Sequence, residues 1–206
     1  MSSLFKAAVV LAACVVFTIC SATSANADSV TFTIGNNPQS NEENILLNKG
    51  TTGTTVFGIT NQSNITVAFS STTDTLFDAA NGQARVEPLN GALNNITISI
   101  PGGAFEDLIV NPFFGSGTAT VTATTVNNET FSFSYTLGNG QNFLTIVATQ
   151  GLLSSVTINA PGGFTDLRQP RISGAGPSQI PEPATMILLG TALAGLSLKL
   201  RRKTKV

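Results

Sequence analysis

Acid–base and nucleophilic chemistry near neutral pH relies mainly on histidine and cysteine. This chain has no histidine, and its two cysteines, Cys14 and Cys20, both sit in an apolar run near the start. A serine nucleophile would therefore lack its usual base, and Tyr135 is the single tyrosine. The nearest approach to a carboxylate pair is Glu106-Asp107, but neighbours on a strand point to opposite faces and do not converge on a glycosidic bond. Asp107 and Asp166 each follow a Pro-Gly-Gly triplet, a setting in which calcium could be held. Calcium wants about six to eight oxygens and each loop offers one or two acids, so the expectation is that these carboxylates bond turn amides. No catalytic residue, metal site or cofactor is expected, and the chain reads as non-enzymatic.

Between Asp28 and Ile180 ten carboxylates stand against four bases, a net charge of −6, while six of the ten basic residues lie in the terminal segments. That excess repels phosphate backbones, which excludes nucleic acid as a partner. The two ends explain the segregation. Lys6 precedes an apolar stretch from Ala7 to Ile19, then small polar residues and Ala25-Asn26-Ala27. This is the pattern of a secretory signal helix, with cleavage by signal peptidase after Ala27. Leu11-Ala12-Ala13-Cys14 mimics a lipoprotein box, but the apolar run Val15 to Ile19 would remain on the mature chain, which disfavours lipidation.

At the other end come Pro181-Glu182-Pro183, an apolar segment from Ala184 to Leu198, and a basic tail with Lys199, Arg201, Arg202, Lys203 and Lys205. The prolines favour an extended, non-helical stalk. The apolar segment is helix-prone, and its span of about 22 Å falls short of a hydrocarbon core of roughly 30 Å, so it crosses weakly with Lys199 snorkelling. The positive-inside rule keeps Arg201, Arg202 and Lys203 cytoplasmic as a stop-transfer cluster and the rest of the chain outside. This order resembles the PEP-CTERM sorting signal, the tag of exosortase substrates in Gram-negative bacteria and cyanobacteria. The resemblance implies that Pro181, Glu182 and Pro183 are recognised by an exosortase-type transpeptidase, and that membrane insertion through the C-terminal helix is transient.

The middle must be an all-β domain. Val30 to Ile34, Ile65 to Phe69, Ile96 to Ile100 and Phe131 to Tyr135 each place apolar groups at every second position, as a strand with one buried face requires. An internal repeat runs through it. Asn81-Gly82-Gln83, Gly91-Ala92-Leu93, Ile96-Thr97-Ile98, Pro101-Gly102-Gly103 and Phe105 to Leu108 recur in order as Asn139-Gly140-Gln141, Gly151-Leu152-Leu153, Val156-Thr157-Ile158, Pro161-Gly162-Gly163 and Phe164 to Leu167. Each copy holds too few strands to bury both faces alone, so the copies should pack as two halves of one antiparallel, jelly-roll-like β-sandwich. The expected organisation is a signal peptide at 1–27, a β-sandwich at 28–174 with repeats at about 51–114 and 115–174, a linker at 175–183, and a transmembrane helix with basic tail at 184–206.

The stretch Phe164 to Gly174, with Asn139 to Phe143, is similar to the ectodomain of many PEP-CTERM proteins, whose final strand commonly reads Asp-Leu-Arg-Gln-Val-Arg-Ile. Here Pro170 stands where that strand has valine, and a proline in a strand predicts an edge position. The expected role is a passive, exported protein of the cell surface or extracellular matrix. The competing reading is an exopolysaccharide-binding module or adhesin, against which stands the absence of tryptophan. The four N-x-S/T triplets at Asn61, Asn64, Asn95 and Asn128 follow from composition.

Overall fold

The computed structural model describes residues 27–47, 50–79 and 82–177. Among them there is no helix and sixteen strands follow in order. These are β1 (Ser29–Ile34), β2 (Glu43–Leu47), β3 (Thr52–Gly53), β4 (Thr55–Thr60), β5 (Thr66–Ser70), β6 (Leu76–Asp78), β7 (Gly82–Gln83) and β8 (Arg85–Pro88), then β9 (Leu93–Ser99), β10 (Gly103–Ala104), β11 (Asp107–Gly115), β12 (Thr118–Thr125), β13 (Thr130–Thr136), β14 (Leu144–Gln150), β15 (Leu153–Ser173) and β16 (Gly176–Pro177). Every pairing is antiparallel. Alternation and β-branched side chains produce this content: β12 reads Thr-Ala-Thr-Val-Thr-Ala-Thr-Thr, with Ala119, Val121, Ala123 and the terminal Thr125 buried and the other threonines outward.

The architecture is sandwich-like. One layer runs β13-β12-β15-β9-β5-β4-β2-β7 and the other β1-β14-β11-β15-β8-β6-β3. The strand β15, 21 residues long, belongs to both. Its first half pairs with β12 and β9, its second with β11 and β8, and β2 also touches it at Arg171↔Asn44 and Ile172↔Glu43. Between the layers lies one apolar core, including Phe69, Ile96, Ile98, Val121, Val156 and Ile158 from the first, and Leu76, Val86, Leu108, Ile146, Leu167 and Ile172 from the second. Phe32 stacks on Phe133 at 5.5 Å, joining β1 to β13 where the layers meet on the far side.

The pairing of β9 with β15 has a local symmetry. Thr97 faces Thr157, its match in the second landmark, and the flanking residues pair crosswise, Ile98↔Val156 and Ile96↔Ile158, as a local two-fold requires. Asn64 and Asn128 both adopt left-handed backbone, at φ 55° and 63°, just before β5 and β13; asparagine is among the residues that tolerate it.

Two local expectations need correction. Pro170 does not mark an edge, because β15 is the most interior strand of the molecule. The ladder to β11 skips a residue between Ile109 and Asn111, and Gln169 there has φ 53°, so proline sits at a bulge and removes no ladder bond. The second Pro-Gly-Gly is not a closed turn either. The first one is, with Gly102 at φ 68°, whereas Pro161 to Gly163 lie within β15 where its register against β9 shifts and the strand passes from one layer to the other.

Candidate functional site

The two outer faces of the sandwich differ in chemistry. All the arginines among the described residues, Arg85, Arg168 and Arg171, project from the second layer. Strand β15 places Asp166 and Arg168 on its outer side, and β8 places Arg85 directly opposite Arg168. Asp166 is fully buried and receives two bonds from Arg168, Nε at 2.6 Å and Nη2 at 2.9 Å, and a third from Arg85 Nε at 3.0 Å. Arg85 also reaches Glu87 at 2.5 Å. The Arg168 guanidinium lies 3.5 Å above the Phe113 ring, which meets Phe114 edge-on at 4.5 Å. This cluster neutralises itself, since each charge has a partner.

A second group gathers where the segment between β1 and β2 crosses the same layer. Arg171 pairs with Glu42 at 3.1 Å and donates to Asn36. Asp107 is buried and accepts a bond from the Ser173 hydroxyl, while its Oδ1 has no hydrogen-bond partner among the described residues. Burial pushes the Asp107 carboxyl up to about 6, with Glu42 and Glu106 adding to the rise and Ser173 opposing it. The expectation for the two post-turn aspartates is thus corrected: Asp166 is held by arginines and Asp107 by a serine, because both point across the sheet rather than back at the turn. Glu106, the residue before β11, is exposed whereas Asp107 is buried, so the two carboxylates do not share one environment. Among the described residues no three His, Cys, Asp or Glu side chains gather as a metal site would need.

The first layer is the opposite case. The strands β13, β12, β9, β5 and β4 and the first half of β15 contain no charged residue. Their outward positions are hydroxyls in register. One row reads Ser132, Thr122, Thr157, Thr97, Ser70, Thr55, a hydroxyl on each of six adjacent strands. The next reads Thr130, Thr124, Ser155, Ser99, Ala68 and then Phe57, whose ring is 54% exposed. Neighbours bond one another: Thr97 with Thr157 at 2.8 Å, Thr120 with Ser134 and Thr122 with Ser132 at 3.1 Å.

Of the residues expected to act, Ala27 is exposed immediately before Asp28, whose carboxylate accepts two bonds from Asn127 Nδ2 at 3.1 Å. Ala25, Pro181, Glu182, Pro183, Arg201, Arg202 and Lys203, together with the signal and transmembrane helices, lie outside the described residues. Among the described residues no helix is long and apolar enough to cross a membrane. At the C-terminal end of the domain β16 pairs with β10, Gly176 against Ala104 and Pro177 against Gly103, so the chain leaves the domain beside the first Pro-Gly-Gly turn. Sequence reasoning missed the Arg85–Asp166 contact, which joins residues 81 apart with no spacing signal. The alternating threonines of β12 did carry the signal for the hydroxyl face.

No curated protein matches the chain. Among solved structures it is similar to mutants of family 29 carbohydrate binding modules: one at 11% identity and TM-score 0.32, covering 70% of this chain and 92% of the module, another at 12% and 0.28, covering 71% and 90%. At the C-terminal end, residues 179–203 match the PEP-CTERM protein-sorting motif over the segment that holds Pro181, Glu182, Pro183 and the cluster Arg201 to Lys203, and the chain therefore carries a PEP-CTERM sorting domain.

Proposed function

We propose that this is a non-enzymatic, exported protein of the cell surface or extracellular matrix, sorted through its C-terminal segment by an exosortase-type transpeptidase. The observation that carries the reading is the match of residues 179–203 to the sorting motif. Export comes first: signal peptidase cuts after Ala27, and the cut spares the fold because β1 begins only at Ser29 and Asp28 is already tied to Asn127. The C-terminal apolar helix then holds the chain in the inner membrane, with Arg201, Arg202 and Lys203 inside and Pro181-Glu182-Pro183 at the outer surface for the sorting enzyme. We further infer that the β domain is a duplication, a reading supported by the facing of Thr97 and Thr157 at matched positions. Replacement of Glu182 by alanine, or deletion of Arg201 and Arg202, should shift the protein from the released or surface-attached fraction to a membrane-retained precursor on fractionation. An unchanged distribution in both variants would instead describe a plain tail anchor.

A second reading, a carbohydrate-binding module or adhesin displayed by the same route, is favoured by the uncharged hydroxyl face.

A further inference from the structure

We propose that the outer face of the first layer binds a neutral, extended polysaccharide lying across the strands, with Phe57 receiving the apolar side of a sugar ring at one end. The proposal deepens the second reading above and rests on it. The rows named above set the geometry. Outward groups on neighbouring strands are about 4.8 Å apart, and successive groups on one strand about 6.8 Å apart. An extended chain of equatorially linked pyranoses advances by nearly one strand spacing per ring, so each ring meets a hydroxyl able both to donate and to accept. The row from Ser132 to Thr55 offers six such groups, and the row beside it offers four before reaching the Ala68 methyl and the Phe57 ring. Ile59, 43% exposed, extends the apolar end.

Charge selects a neutral polymer. Five of these strands and the first half of β15 carry no charged residue, and the domain's arginines on the other face are occupied by Asp166, Glu87 and Glu42. An acidic polysaccharide would meet no free cation on either face of the described domain and would be repelled by its net negative charge. Twist selects a flexible polymer over a rigid lattice. Neighbouring strands rotate by about 20–25° each, so six strands do not present a plane, but a chain with rotatable glycosidic bonds can follow them. A second copy of this face is a poor occupant, because hydroxyl rows that already bond one another offer little apolar area to bury.

The test uses the full chain, kept in solution by a zwitterionic detergent that carries no sugar, in affinity electrophoresis against soluble glucan, mannan, xylan and galactan, with alginate and pectate as acidic polymers. The expected result is retardation by at least one neutral polymer and by neither acidic one. The pair Thr122→Val with Thr157→Val removes central hydroxyls while keeping β-branched shape and should weaken retention at least tenfold, and Phe57→Ala about fivefold. The matched pair Thr31→Val with Thr33→Val, on exposed positions of β1 in the other layer, should leave retention unchanged. Melting curves of each variant separate lost binding from lost fold, and Phe57, being exposed, provides a second probe outside the core. Retention by no neutral polymer, a preference for the acidic ones, or equal retention in the face variants and the β1 control would overturn the proposal. None of those outcomes alters where Glu182→Ala leaves the protein in the cell, so failure here is distinct from failure of the sorting reading.

Discussion

Asp107 is a buried acid whose Oδ1 has no hydrogen-bond partner among the described residues. Its carboxyl rises from 3.8 to about 6 because burial disfavours the charge. A carboxyl whose folded value lies above its unfolded one contributes stability that is complete below about pH 3.8 and is lost as pH climbs through about 6. Asp107→Asn should therefore raise the melting temperature at pH 7, by an amount corresponding to on the order of 1–3 kcal/mol, and change little at pH 4. Thermal melts of both proteins across pH 4–8 check it, and parallel curves would contradict the assignment. Glu43 and Asp74 act in the other direction. Burial pushes each up but is outweighed by hydrogen bonds, to Glu43 from Ser63, Gln62 and Thr60 and to Asp74 from Thr73, Asn94 and Asn95, so their contributions are lost only as pH falls. The sequence singled out Asp107 and Asp166 as worth attention but not their partners. Ser173 lies 66 residues from Asp107, and no local pattern encodes which strand lands beside which.

Strands were largely legible because period-2 alternation is a local property, and Val30 to Ile34, Phe131 to Tyr135 and their like became strands as the pattern required. What alternation cannot encode is a strand that changes layers. The interruption at Pro161-Gly162-Gly163 and the proline at 170 both suggested that a strand ends, yet β15 continues through them by shifting register and bulging. That crossing depends on close backbone approach at Gly162, where an added Cβ would lie 2.3 Å from the Ser116 carbonyl oxygen and 3.0 Å from its carbon. Backbone there cannot swing aside as a flexible side chain would. Gly162→Ala should cost about 1–3 kcal/mol, visible as a lowered denaturation midpoint with unchanged slope. A midpoint equal to that of the parent chain would mean that the crossing tolerates a wider spacing than the structure gives it.

At the scale of the molecule, a domain with an uncharged hydroxyl face and a second face of paired charges is followed by a C-terminal sorting motif. The C-terminal sorting motif was legible from sequence because such signals are linear: Pro181-Glu182-Pro183 stand ahead of an apolar run and Arg201 to Lys203. The contrast between faces was not, since it requires knowing that β12, β15, β9 and β5 lie side by side. Sorting is the claim on which the cellular role depends, and intact-mass measurement of the native protein recovered from the cell exterior tests it most directly. The expected polypeptide begins at Asp28 and has lost the apolar helix and basic tail beyond the Pro-Glu-Pro segment. Recovery of a single species in the cytosol with residues 1–27 and Arg201 to Lys205 still attached would contradict it.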